Sequence, residues 1–136
     1  MPISDVSYAI EPTLAVDAFV TVLRASGLAE RRPVDDTPRI AAMLANADLI
    51  ATARVGGELV GVARAITDFV RDCYLSDLAV DRPHAGRGIG RALLAYIHAA
   101  AGAGTTLILT AAPGAVGFYE RIGLERPEAF VIPRAF

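Results

Sequence analysis

One stretch of the sequence decides the fold: LAVDRPHAGRGIGRAL, residues 78–93. It starts with an apolar, strand-like run and passes through a turn that contains Gly86, Gly88 and Gly90. It then continues into apolar residues at helical spacing. Glycines let a backbone wrap closely around an anion, and the free N–H groups at a helix start point toward that anion. The stretch therefore predicts a strand, an anion-binding turn and a helix.

The glycine pattern does not fit the two commonest nucleotide motifs. A Walker loop needs Gly-Lys-Ser/Thr, but all 13 cations of this chain are arginines. The dinucleotide fingerprint needs Gly or Ala three residues after Gly90, where Leu93 stands. Arg87 and Arg91 flank the turn and can add charge-assisted contacts to a phosphate. Taken alone, the turn is also compatible with a plain strand-to-helix connection.

Composition restricts the class of protein. The chain has 136 residues, of which 54% are hydrophobic and 21% charged, so we expect one compact domain over residues 1–136. The net charge of −2 argues against nucleic acid as a main partner. The absence of lysine excludes Schiff-base catalysis. One cysteine and two histidines are too few for a Cys/His zinc site, so no metal is expected.

Two segments bear on location. Met1–Ile10 lacks the basic region and apolar stretch of a signal peptide, so we expect a cytoplasmic protein. Ala92–Tyr119 is poor in charge, but glycines and a proline interrupt it. We therefore interpret it as buried core and expect no membrane association.

Hydrophobic periodicity predicts the remaining elements. The predicted strands are Val6–Ile10, Leu49–Val55, Glu58–Ile66, Tyr74–Val80 and Thr105–Thr110, with Ala129–Ile132 as a candidate last strand. The predicted helices run from Pro12-Thr13 to about Ser26, from Thr37-Pro38 through Ala47, from Ile89 to Ala100, and from Pro113 to Ile122. His98 is expected on the solvated face of its helix. This order predicts an α/β (α+β) fold with a mixed, largely antiparallel sheet flanked by helices.

A second motif, AAPGAVGFYERIGL at residues 111–124, follows the first at a plausible separation. With both motifs, the sequence resembles the GNAT superfamily of acyl-coenzyme-A-dependent N-acetyltransferases from about Leu59 to Leu124. The positions that match the first family pattern are Val80, Pro83, Gly88 and Gly90. Ala85 stands where the family has Gln or Arg, which removes one polar contact near the cofactor.

The resemblance implies a splayed central strand pair. The strand carrying Leu78–Val80 would separate from the strand carrying Leu107–Leu109, and the pantetheine arm of coenzyme A would lie in the gap. The implied contacts to acetyl-CoA come from Leu78, Ala79, Val80, Ala85, Gly86, Arg87, Gly88, Ile89, Gly90, Arg91 and Phe118. Ala85 would contribute through its backbone N–H.

Acyl transfer to an amine requires removal of a proton. A simple alkylamine has a pKa of about 10.4, so on the order of one molecule in a thousand is neutral at pH 7. The base is either a carboxylate, with Asp77 as the first candidate and Asp68 and Asp72 as others, or a water chain. Asp77 reaches the cleft only if its strand bulges, because alternation points it away from Leu78 and Val80. The other interpretation is a structural carboxylate bonded to backbone or arginine.

Two further groups complete the predicted site. The backbone N–H of Leu78 or Ala79 is the candidate donor to the oxyanion. Tyr119 matches the family tyrosine that can protonate the leaving thiolate. At reference pKa values of about 10 for phenol and about 8.5 for thiol, full proton transfer is uphill, so we expect hydrogen-bond donation. An ordinary packed aromatic residue is the alternative for Tyr119.

The sequence thus predicts an N-acetyltransferase that moves an acetyl group from acetyl-CoA directly to a primary amine of a small molecule or peptide. A non-catalytic acyl-CoA-binding or regulatory module is the alternative, favoured by the departure at Ala85. A homodimer is also compatible with the sequence. The acceptor would lie between the first two helices and the Asp68–Asp72 loop, with its selection in Leu28–Asp36 and Ala129–Phe136.

Overall fold

The fold is taken from a computed structural model that describes residues 5–135. Its elements are β1 Val6–Ile10, α1 Val16–Ser26, α2 Thr37–Ala45, β2 Leu49–Val55, β3 Glu58–Thr67, β4 Asp72–Val80, α3 Ile89–Ala101, β5 Thr106–Leu109 and α4 Val116–Arg121. Two short 3₁₀ turns lie at Leu28–Arg31 and Arg82–His84. Within residues 5–135, no helix is long and apolar enough to cross a membrane.

The strands form one mixed sheet in the order β1-β2-β3-β4-β5. The first three pairings are antiparallel, and β4 and β5 are parallel. The turn between β2 and β3 is the predicted two-residue turn, with φ +58° at Gly56 and +83° at Gly57. The predicted fold class is therefore confirmed.

Helices cover both faces of the sheet. On one face, α3 packs over β2, β3 and β4 through apolar side chains that include Ile89, Leu93 and Ile97. This helix lies close to β3, because a Cβ built on Gly61 would be 3.1 Å from atoms of Ile89 and Leu93. On the other face, α1 and α2 pack through a second apolar cluster around Phe19. The N-terminal part of α3 therefore packs closely against β3, directly after the glycine turn.

A β-bulge divides β4 into two halves. Arg64 lies opposite Asp77 and Ala65 lies opposite Leu75, so Ser76 is the extra residue. Beyond the bulge, Leu78 and Val80 pack toward α3. Asp77 points to the opposite face, toward α1 and α2, as alternation predicts.

Some predicted details are wrong. Ala129–Ile132 is not a strand, and Phe130 and Ile132 are 96% and 97% exposed. Strand propensity is not sufficient there, because no neighbouring strand of the described chain pairs with this segment. The first helix begins at Val16, later than expected. His98 is half-buried, with Nε2 2.8 Å from the Thr105 carbonyl oxygen.

Candidate active site

The parallel pair β4–β5 opens along its length. Pairing covers only Asp72–Leu75 against Thr106–Leu109. Within the described chain, Ser76–Val80 have no partner strand on that side. The splayed strand pair is therefore present, and the second half of β4 has a free backbone edge.

The Leu78 N–H faces this gap. The Asp81 N–H donates to the Val60 carbonyl at 2.9 Å, so the backbone groups of Asp81 point toward β3. In an antiparallel pair, successive residues direct their backbone groups to alternate sides. Ala79 therefore faces β3, whereas Leu78 and Val80 face the gap. Of the two predicted oxyanion donors, this alternation favours Leu78.

The glycine turn lies at the end of the open edge. Gly86 and Gly88 have φ +78° and +83°, a region that residues with a Cβ rarely adopt. A Cβ at either position would meet nothing within 4 Å, so conformation rather than crowding requires glycine there. Gly88 is the N-cap of α3, and the first N–H groups of a helix have no intrahelical acceptor. With Arg87 and Arg91 exposed beside it, the turn is suited to a phosphate group.

The residues between β4 and the glycines use their polar groups within the turn. One carboxylate oxygen of Asp81 accepts the His84 N–H at 3.2 Å and lies 2.6 Å from His84 Nδ1. The Ala85 N–H donates to the Arg82 carbonyl at 3.1 Å. The Ala85 N–H is therefore engaged within the turn in this conformation, which argues against the predicted contact between Ala85 and a phosphate.

Phe118 brings the two sequence motifs together. A Cβ built on Gly90 would lie 3.3 Å from Phe118 Cζ and 3.9 Å from Val80 Cγ2. The Tyr119 ring meets the edge of Phe118, with centroids 5.1 Å apart and an interplanar angle of 74°. Burial raises the pKa of Tyr119 above its usual 10, so the phenol stays protonated at neutral pH. Tyr119 is thus able to act as a hydrogen-bond donor at neutral pH.

Asp77 is engaged by two arginines. Its side chain is fully buried, with Oδ1 2.5 Å from Arg32 Nε and Oδ2 2.5 Å from Arg64 Nε. Both oxygens already accept charge-assisted bonds, so protonation would disrupt a buried ion pair. This arrangement favours the structural interpretation of Asp77 over the role of base.

The identities of the two arginines that bind Asp77 were not predicted from the sequence. Arg64 had a detectable signal, because a charge in the apolar run of β3 must find a partner if it is buried. Nothing in the sequence singled out Arg32 as a partner of Asp77, since an arginine in a loop is normally solvated.

The other candidate bases lie at the far end of β4. Asp68 Oδ1 accepts the N–H groups of Val70, Arg71 and Asp72, and the Arg71 bond is the largest cause that lowers the pKa of Asp68. Six residues separate Asp72 from Leu78, a distance of about 20 Å along a strand. Asp68 and Asp72 therefore lie far from Leu78. The loop Asp68–Asp72, which was expected to border the acceptor, is equally distant from it.

A sheet that opens beside a glycine turn at a helix N-terminus is suited to an extended, phosphate-bearing ligand. The family model described as "Acetyltransferase (GNAT) family" matches residues 16–124. The chain therefore belongs to the GNAT acetyltransferase family, and the predicted resemblance is confirmed.

Solved structures show the same fold. A GNAT-family acetyltransferase of Streptococcus pneumoniae aligns with a TM-score of 0.75 and 19% identity, over 95% of this chain and 98% of the other. An aminoglycoside acetyltransferase from an uncultured soil metagenomic sample aligns at 0.73 and 16%, over 98% and 97%. A ribosomal-protein-alanine N-acetyltransferase of Brucella melitensis aligns at 0.72 and 22%, over 95% and 98%. No curated protein sequence matches the chain.

Proposed function

We propose that the protein transfers the acetyl group of acetyl-CoA directly to a primary amine of a small molecule or peptide. The observation that carries this proposal is the free edge of β4, with the Leu78 N–H facing a gap that ends at the glycine turn. An extended amide-containing chain can pair with such an edge as an added strand would. Membership of the GNAT family supports the same reaction.

The residues of the cleft fit coenzyme A. The space above Gly86 and Gly88 is open, so a pyrophosphate can approach the backbone N–H groups of residues 86–91. Arg87 and Arg91 would add charge at the turn. The amides of the pantetheine arm would pair along Leu78–Val80, and Phe118 would border the cleft. The thioester would supply an acetyl group that an amine can accept.

The reaction requires a donor to the acetyl oxygen, a hydrogen bond to the departing sulfur and removal of the amine proton. The Leu78 N–H would stabilise negative charge that develops on the acetyl oxygen. The Tyr119 hydroxyl would donate a hydrogen bond to the departing sulfur, a role that its raised pKa suits. Because both oxygens of Asp77 are occupied, we assign removal of the amine proton to water at the open side of the cleft.

The acceptor of the proposed reaction is an amine. Two structural neighbours are named for different acceptors, one an aminoglycoside and the other an alanine of a ribosomal protein. We place the acceptor on the sheet face covered by α1 and α2, with Leu28–Asp36 as the selecting segment. The cytoplasm remains the proposed compartment, where acetyl-CoA and amines would both be available.

Two measurements test the proposal. Calorimetric titration with acetyl-CoA, with acetate as the control ligand, tests binding. An assay of thiol release across an amine panel, with products identified by mass, tests transfer. We expect binding together with N-acetylated products. Binding without turnover on any amine would favour the non-catalytic module, and absence of binding at millimolar acetyl-CoA would contradict both functions.

A further inference from the structure

The bulge in β4 is held by two arginines from different parts of the chain. Arg32 Nη2 donates to the Ser76 carbonyl at 2.8 Å, and Arg64 Nη2 donates to the Ser76 hydroxyl at 2.8 Å. Arg64 comes from the neighbouring strand β3, whereas Arg32 follows the 3₁₀ turn Leu28–Arg31. The extra residue of the bulge is thus bonded through its backbone and its side chain.

Asp77 joins the two arginines into one network. Each carboxylate oxygen meets the Nε atom of a different arginine, and Arg32 and Arg64 each hold Asp77 and Ser76 together. A guanidinium can do this because its donors lie in a rigid plane, which a lysine ammonium lacks. The Asp77 side chain is 0% exposed and the Arg64 side chain 7% exposed, so water competes little for these bonds.

We propose that Arg32, Asp77 and Arg64 form a positioning network that makes acetyl transfer depend on the loop Leu28–Asp36. This inference rests on the proposed function. Leu78 is two residues beyond Ser76, and its N–H faces the gap only while the bulge keeps its register. A slip of one residue would turn that N–H toward β3. Arg32 ties the bulge to the loop on the acceptor side, so a displaced loop would misalign the oxyanion donor.

The start of the same loop also lies close to the turn on the proposed cofactor side. Gly27, which ends α1 with φ +89°, lies against the Arg82 guanidinium, because a Cβ there would be 2.6 Å from Nη2. Arg82 belongs to the 3₁₀ turn that leads from β4 to the glycines. The loop therefore begins next to the turn that carries Arg82, and its Arg32 is bonded to the bulge.

The test compares wild type with Arg32→Gln and Arg32→Lys. Arg39→Gln, an exposed arginine at the start of α2, serves as the matched loss of charge. We expect Arg32→Gln to lower kcat by about tenfold to a hundredfold, while the Kd for acetyl-CoA stays within about twofold of wild type. Arg32→Lys should recover little of the rate, and Arg39→Gln should match wild type. Equal kcat in Arg32→Gln and Arg39→Gln would overturn the proposal.

Amide hydrogen exchange of Ser76–Asp81 gives a reading that needs no acceptor. Exchange there should rise about tenfold in Arg32→Gln, with β2 and α3 unchanged, and unchanged exchange at Ser76–Asp81 would count against the network.

Asp77→Asn should lower the rate of acetyl transfer without changing the shape of its pH dependence. A changed shape would identify Asp77 as the base instead. Failure of wild type to bind acetyl-CoA would contradict the proposed function, whereas the exchange result would still decide the network.

Discussion

Phe118 lies directly over Gly90, with 3.3 Å between Phe118 Cζ and the place that a Gly90 Cβ would occupy. This contact connects α4 with the first turn of α3 and, through Val80, with the end of β4. The three elements that border the proposed cleft therefore meet at one glycine.

Gly90→Ala tests this contact. Alanine favours a helix over glycine by about 1 kcal/mol, so thermal stability should be kept or raised. The added methyl group should displace Phe118 and weaken acetyl-CoA binding by about fivefold, the equivalent of about 1 kcal/mol of overpacking. Calorimetry measures this effect. Gly114→Ala is the control, because a Cβ there meets nothing within 4 Å. Equal affinity of the two variants for acetyl-CoA would show that Phe118 and Gly90 do not border the acetyl-CoA site.

Gly88→Ala separates backbone conformation from ligand binding. Gly88 and Gly57 both have φ +83° and open space around a Cβ, so each alanine variant should lose about 1–2 kcal/mol of folding stability. Only Gly88 adjoins the proposed phosphate site, so only Gly88→Ala should weaken acetyl-CoA binding, by about tenfold or more. Denaturant unfolding and calorimetry check the pair. A matching loss of affinity in Gly57→Ala would show that the effect is general destabilisation.

Tyr119→Phe tests hydrogen-bond donation to the departing sulfur. Loss of the hydroxyl should lower kcat by about a hundredfold and leave the Kd for acetyl-CoA nearly unchanged. Tyr96→Phe is the control, because Tyr96 stacks on Tyr8. Wild-type turnover in Tyr119→Phe, with an acceptor that wild type uses well, would leave Tyr119 as packing beside Phe118.

The pH dependence of the rate follows from the same assignment. The value of kcat/KM for an alkylamine should rise about tenfold per pH unit between pH 7 and 9, as the neutral amine becomes more abundant. Burial raises the pKa of Tyr119 above 10, so its loss of a proton should not lower the rate below about pH 10. A falling limb between pH 8 and 9 that disappears in Tyr119→Phe would contradict the raised pKa.

Local sequence signals predicted most of the fold. The Gly56-Gly57 turn, the periodicity of α3 and the glycine turn before it each reflect contacts between residues close in the chain. The segment Ala129–Ile132 has the propensity of a strand, but a strand also needs a partner, which a local pattern does not reveal. The late start of α1 at Val16 has the same origin, since the end of a helix depends on packing.

The site was predictable only in part. Phe118 and Gly90 could both be assigned to the expected acetyl-CoA site because two motifs were recognised together. The surroundings of Asp77 could not, because Arg32 is 45 positions away and reaches it across the fold. The choice between base and structural carboxylate depended on that long-range contact. The choice between Leu78 and Ala79 depended on the bond from the Asp81 N–H to the Val60 carbonyl, because this bond shows which backbone groups at the end of β4 point toward β3.

The bulge at Ser76 also determines which genetic changes the protein can tolerate. Position 76 is constrained twice, because its backbone carbonyl accepts a hydrogen bond from Arg32 and its hydroxyl accepts one from Arg64. Deletion of the codon would leave Ala65 opposite Leu75 and Arg64 opposite Asp77, so Asp77–Val80 would keep their present faces of the sheet. The carbonyl and hydroxyl groups that bind Arg32 and Arg64 would be lost with the bulge. In evolution, both the presence of residue 76 and a hydrogen-bonding side chain at that position are therefore expected to be constrained.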